Sequence, residues 1–554
     1  MKIVRSIDPR YDGGAMSADS VSTVFSKGIF CVPDYQRPYS WGKEEVTDFF
    51  NDLKDYMEDD KNSGYLFGMI IVYNRGNENE PLFDIIDGQQ RIATSTIFLC
   101  VLRDILAESC TEPAKLMTIS NSIISAISKD YEYRFIANGH NRVFFRDYVQ
   151  AGKHDCKSDL LNRKVRDAYV TLHRLVKEYI GNRDVSDVIQ KMKNAFLDGF
   201  KISFVETKEE KTAFVFFERL NVRGKKLKAV DLLKNLLFSK LKSIDSTYKD
   251  KWSEMYKKVI GAGGNPDDYI RFCWNSCHSL TTANNLYDEV SKLGYSELLE
   301  FCTYIFDNTD TYCSLVKKNY TEQVFNASCK RHIDNLRVIG ATTFYPLVLA
   351  VKSKDIEDKN LLQLSKTIEC LVVRNMVIAQ YRGSRYEKFF SKLANEYLKG
   401  SPLSDIINSI KSATLGDDDI TENMFGAFSP NSSLAKMMLV HINNCNHPEL
   451  TVLDDGKEIH LEHIMPQDIG EWPVPIDEWK VYHKRFGNMI LLRGKSNTGI
   501  KNALYDVKRK EYAKSEIDLT RLINEQYDHW DKGTIEERQK DLRLEVLKAW
   551  SNDR

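Results

Sequence analysis

The chain has 554 residues, 42% of them hydrophobic and 28% charged, and its 78 basic side chains almost cancel 79 acidic ones, for a formal net charge of −1. That length exceeds what one hydrophobic core sustains, so two or three domains are expected, and the overall balance of charge leaves any nucleic-acid surface to be sought in local patches. No apolar run approaches the roughly 20 residues needed to span a bilayer, "MKIVRSIDPR" at the start lacks the apolar stretch of a secretory leader, and the eleven cysteines are scattered like reduced core thiols; a cytoplasmic protein without a membrane partner is expected.

Residues 1–245 mix strand-like runs ("YLFGMIIVY", "LFDIID", "FKISFVE") with helical ones ("EEVTDFFNDLKDYM", "TAFVFFERL"), which predicts an α+β domain. Within it, "FDIIDGQQRIATSTIFLCVL" reads as a strand ending at Asp87, a glycine turn, two glutamines, Arg91 and a helix starting near Ile92. A strand leading through a glycine turn into a helix N-terminus is a natural anion site, to which Arg91 adds a bidentate donor and Asp87 a ligand for a metal or a water. Upstream, "VPDYQRPYSW" holds Tyr35, Tyr39 and Trp41, aromatics suited either to stacking on a base or to burial in the core. Downstream, "RLNVRGKKLKAVDLLK" is strongly basic, with Asp231 its one acidic residue.

Residues 246–415 show helical periodicity almost throughout and predict an all-helical spacer, closed by the acidic, glycine-containing "LGDDDITEN". "CWNSCH" and "HINNCNH" contain zinc-type ligands without the paired short spacings of a structural zinc site.

The last segment, 416–554, contains "EIHLEHIMP", which alternates as a strand until Pro466, then "NMILLR" as a second strand, then "SNTGIKNALYDVKRKEY" as a capped helix. Between Lys480 and Lys514 ten Lys or Arg face only Asp506 and Glu511, an excess suited to a phosphate backbone. Hydrolysing a phosphodiester needs a base for water, a divalent cation for the phosphate and surrounding positive charge. Glu462 can bind a hard metal, His463 can be the base, Asn497 can add an oxygen ligand, and Asn488 can orient the imidazole. The "GKS" at 494–496 is not the end of a P-loop, because six residues rather than four separate Gly487 from Gly494.

The runs "EHIMPQ" and "GNMILLRGKSNTGIKN" resemble the core of HNH (ββα-metal) nucleases, and are closer still to the C-terminal domain of GmrSD-type restriction enzymes. "YQRPYSW", "DGQQR" and "LNVRGKKL", in that order, are similar to the ParB/sulfiredoxin-related N-terminal domain of the same enzymes. The resemblance implies a multidomain α+β protein: a ParB-like domain over 1–245 that binds nucleotide and senses modified DNA, the helical middle, and an HNH nuclease domain over 416–554. It implies His463 as general base held by Asn488, Glu462 and Asn497 as ligands of Mg²⁺ or Mn²⁺, and an NTP site built from Asp87, Gly88, Gln89, Gln90 and Arg91 beside Tyr35, Gln36 and Arg37. Glu462 stands where Asp is more usual, and since neighbours on a strand face opposite ways, His460 becomes a possible further ligand. Lys495, Lys501, Lys508, Arg509 and Lys510, with Arg223 and Lys225, are the expected DNA contacts. The expected activity is nucleotide-controlled, modification-dependent cutting or nicking of phage DNA, with homo-oligomerisation possible. The alternatives are a ParB-like nucleotide switch that binds DNA without cutting it, and an RNA-cleaving toxin.

Overall fold

The computed structural model describes residues 18–58, 64–77, 80–110, 112–160, 162–210, 212–213, 216, 229–240, 246–447, 458–493 and 502–552. The chain divides into two compact units, Met1–Ile270 with Thr282–Phe306, and Arg271–Thr281 with Asp307–Arg554. Residues 246–415 are helical as their periodicity predicts, yet they are shared between the two units. Which helices cluster together is decided by contacts between distant segments, and periodicity carries no record of those.

The N-terminal unit contains strands β1 (Ala18–Ser20), β2 (Ile29–Cys31), β3 (Tyr65–Asn74), β4 (Leu82–Asp87), β5 (Ser128–Lys129), β6 (Glu132–Tyr133), β7 (Phe135–Ile136) and β8 (Phe200–Thr207). Six of them form a mixed sheet in the order β1-β8-β3-β4-β2-β7, and β5 and β6 make a separate hairpin. Strand β3 runs parallel to β8 and antiparallel to β4, while β4 and β2 run parallel. One face packs helices α1 (Lys43–Glu58) and α2 (Gln89–Ser109) around Phe49, Phe98, Phe196 and Phe200. Helix α2 is buried on nearly all sides, which explains its apolar run without an amphipathic stripe. Its buried hydroxyls are satisfied locally: Ser95 donates to the carbonyl of Arg91, Thr96 to that of Ile92, and Thr94 pairs with the Tyr39 hydroxyl. A third helix, α3 (Ala229–Lys240), also belongs to this unit.

In the C-terminal unit, helices α4 (Ala327–Ile339), α5 (Asp358–Leu371) and α6 (Ser432–Asn446) enclose a buried carboxylate, Glu369. It meets His332 Nδ1 at 2.5 Å and accepts from Asn335 Nδ2 at 2.8 Å and Trp550 Nε1 at 2.9 Å, so an ionisable group is buried only where donors surround it. The predicted strand, loop, strand, helix order is present as β9 (Ile459–His463), a connection containing α7 (Ile476–Tyr482), β10 (Met489–Arg493) and α8 (Tyr505–Tyr512). Helix α9 (Lys532–Ala549), which opens with a capping box on Asp531 and Thr534, packs against the turn before β10. Helix α8 starts at Tyr505 after an extended Leu504, while the expected capping residues near Ser496 lie outside the described residues.

Candidate active site

Strands β9 and β10 pair antiparallel in unbroken register, with Glu462 opposite Ile490 and His463 opposite Met489. Alternation therefore sends Glu462 and His463 to opposite faces. Glu462 belongs with Ile464, Ile490 and Leu492, over which Tyr505 and Tyr512 of α8 pack. Lys508 lies between those tyrosines at helical spacing, and it is the one that reaches the carboxylate: Nζ is 2.5 Å from Glu462 Oε1 and 2.9 Å from the carbonyl of His463. Lys508 is 0% exposed and Glu462 6%, so the ammonium and carboxylate are sealed in together. Burial raises the Glu462 pKa and lowers that of Lys508, and each charge opposes the shift of the other.

This corrects the expectation that Lys508 contacts DNA. One lysine of the basic run points inward because it sits on the apolar stripe of α8. Of its neighbours, Arg509 donates to Asn524 and Asp528, and Lys510 is exposed. Lys495, Lys501, Arg223 and Lys225 lie outside the described residues, as does Asn497.

His463 closes the strand. Burial, with the nearby His483 and Lys508, lowers its pKa to about 4, so the imidazole is uncharged at neutral pH and able to take a proton. Its Nε2 is 3.5 Å from Gln467 Nε2. His483, a residue the sequence reading passed over, stacks on Trp479 at 4.5 Å between centroids and 12° between planes. Its Nδ1 lies 2.6 Å from the Trp479 carbonyl, which can only accept, so Nδ1 carries the proton. Trp479 itself donates Nε1 to the Pro466 carbonyl and ties α7 to the loop that follows His463.

Asn488 does not orient the His463 ring as expected. Its Oδ1 accepts from Met465 N at 2.7 Å and Trp530 Nε1 at 3.0 Å, while Nδ2 donates to the carbonyls of Met465 at 2.8 Å and His483 at 3.0 Å. That is the full bonding capacity of a carboxamide. Its backbone carbonyl also accepts from Ile464 N, so Asn488 fixes the two residues after His463 and positions the histidine through the chain.

The fit to a divalent metal is poor on the described residues. No three His, Cys, Asp or Glu side chains among them converge as a ligand set, and the one carboxylate at the strand end is held by an ammonium. His460 shares the Glu462 face by alternation and is half-buried.

In the N-terminal unit the strand and glycine turn form as predicted, with β4 ending at Asp87 and Gly88 at φ 92°, but α2 starts at Gln89 rather than near Ile92, so both glutamines and Arg91 lie in its first turn. A Cβ on Gly88 would meet Ile70 at 2.7 Å, so the tight turn needs glycine twice over. Gly68 on β3, at φ 130°, has Arg91 Nε 2.6 Å from where its Cβ would stand, and through that gap Arg91 reaches the Met69 carbonyl at 3.0 Å. Burial raises the Asp87 pKa against the opposing charges of Arg91 and Arg37. Gln90 and Gln36, expected at the nucleotide, are given to protein partners. Gln90 Oε1 accepts from the backbone N–H groups of Ser40 and Trp41, while Gln36 Nε2 donates to the carbonyls of Ile85 and Ile86. Tyr35 is buried, with its hydroxyl on Glu210 at 2.9 Å. Arg37 pairs with Asp231 at 3.2 Å, and the buried Oε1 of Gln89 has no hydrogen-bond partner among the described residues.

Residues 21–238 match the model of the GmrSD restriction endonuclease N-terminal domain, and residues 417–544 match that of the GmrSD restriction endonuclease C-terminal domain. No curated protein matches the chain. The first match spans the glycine turn with Arg37, Asp87 and Arg91, and the second spans the hairpin with Glu462, His463 and Lys508; with both family domains on one polypeptide, the chain belongs to the GmrSD restriction endonucleases.

Proposed function

We propose that this restriction endonuclease cuts or nicks phage DNA under nucleotide control and in response to DNA modification, through an HNH-type site in its C-terminal domain and a ParB-like switch in its N-terminal domain. The observation that carries the reading is His463: an imidazole kept uncharged by its surroundings, at the mouth of a hairpin whose following residues are pinned by Asn488. In this role His463 takes a proton from water as the water oxygen bonds to phosphorus, and the bond from phosphorus to the leaving oxygen breaks. Lys508 holds the carbonyl of His463 and Asn488 holds the two residues that follow it. Mg²⁺ or Mn²⁺ is the proposed cofactor; since the described residues do not converge on a metal, its ligands would have to include Asn497, which lies outside them, and it would supply charge neutralisation at the phosphate. Glu462, as described, is occupied by Lys508.

The nucleotide is assigned to the glycine turn, where the start of a 21-residue helix, Arg91 and an acidic residue with a raised pKa meet. The two proposals are tested together by digesting matched modified and unmodified phage DNA with and without ATP and GTP. Cleavage that depends on both the modification and the nucleotide supports the reading. Cleavage indifferent to both leaves a plain nuclease.

A further inference from the structure

Helix α3 turns three polar side chains to one face: Asp231, Lys234 and Asn235, spaced i, i+3 and i+4. All three are buried, Lys234 and Asn235 at 2% exposure. The helix is fixed at its start, where the carboxylate of Asp267 accepts from Val230 N at 2.9 Å. Asp231 meets Arg37, and Lys234 donates to Gln36 Oε1 while lying 3.9 Å from Asp231. Gln36 in turn holds the carbonyls of Ile85 and Ile86, the two residues before Asp87. This face of α3 is thus brought to the strand end that opens the glycine turn, and Arg37, Asp87 and Asp231 all act electrostatically on Lys234.

One feature has no use among the described residues. Among the described residues neither Oδ1 nor Nδ2 of Asn235 has a hydrogen-bond partner, although a buried carboxamide with both ends unmade is strongly penalised. Burial brings the Lys234 pKa down to about 8, and an arriving anion would stabilise its charged form.

We propose that Lys234 and Asn235 form the second half of the nucleotide site, Lys234 contacting a phosphate oxygen and Asn235 giving a donor and an acceptor to the same nucleoside triphosphate. This rests on the assignment of nucleotide to the glycine turn, and adds ligands from a helix more than 140 positions away in sequence.

The test uses the full-length protein and calorimetric titration with ATP, GTP and inorganic tripolyphosphate, on wild type, Arg91→Ala, Lys234→Gln and Asn235→Leu, each also melted with and without ligand. Lys234→Gln, which keeps a polar contact to Gln36 and drops the charge, should bind every one of these anions that wild type binds about 10- to 100-fold more weakly, the size of a charge-assisted hydrogen bond. Asn235→Leu should melt higher without ligand, since two unpaired polar atoms are gone, and should lose most of the nucleotide-induced rise in melting temperature. If both variants bind as wild type does while Arg91→Ala binds weakly, the α3 inference falls and the glycine-turn site stands. If wild type binds none of the three, both fall.

Discussion

Replacing Lys508 by Met tests whether the basic helix α8 of the C-terminal unit faces solvent or the core. Lys508 has no exposed surface, and its Nζ sits 2.5 Å from the carboxylate of Glu462, itself 6% exposed. Removing one member of such a pair strands the other charge, which costs about 3–5 kcal/mol. With roughly 2–4 °C per kcal/mol for a unit of this size, the transition of the C-terminal unit should fall by about 6–20 °C. A double variant, Lys508→Met with Glu462→Gln, no longer buries a charge and should recover most of the loss, which a double-mutant cycle separates from simple additivity. Scanning calorimetry reads the transition, and fluorescence of Trp472, Trp479 and Trp530 reports on this region. A fall below about 2 °C, together with a salt-dependent loss of DNA affinity, would refute the buried pair and return Lys508 to the DNA-facing surface.

Three further outcomes are expected. The folded His463 binds a proton less readily than the unfolded one, so its contribution to stability is complete above about pH 6.5 and is lost as the pH falls toward 4; cleavage should likewise hold its rate down to about pH 5, whereas an acid limb centred near 6.5 in the pH–rate profile would contradict the buried, neutral base. Asn488→Ala should lower both the melting temperature and the cleavage rate, since it leaves Met465 N and Trp530 Nε1 buried without acceptors at about 1–3 kcal/mol each; a variant that melts like wild type would show that the clamp is dispensable. Arg91→Ala should weaken nucleotide binding by about 10- to 100-fold and make DNA cleavage insensitive to added NTP, as measured by plasmid digestion across an NTP titration; a wild-type response would remove Arg91 from the switch.

Local signals were legible in the sequence. Alternation in "EIHLEHIMP" and the run "NMILLR" located both strands of the hairpin, and "DIIDGQQR" located the strand end and the glycine turn, with the helix starting three residues earlier than expected. What escaped depends on partners far along the chain. Asn488, expected to open the second strand, ends the turn just before it, and its job is set by partners such as Trp530, 42 residues away. Lys508 was read with its basic neighbours as a solvated surface; its position three residues after Tyr505 and four before Tyr512, on the apolar stripe of α8, was the available signal for burial. His483 had no motif around it, and it matters because α7 folds back to place it near His463. Sheet order was equally hidden, since β3 pairs in parallel with β8 across more than 120 intervening residues.

The central claim, that His463 is the base of a DNA-cutting site, is tested most directly by incubating supercoiled plasmid or phage DNA with wild type and His463→Ala in Mg²⁺ or Mn²⁺ while following nicked and linear products. The account predicts a rate about 10²- to 10⁴-fold lower for the variant, with its melting temperature and DNA affinity close to wild type. A pure His463→Ala protein that cuts at a rate near that of wild type would contradict it.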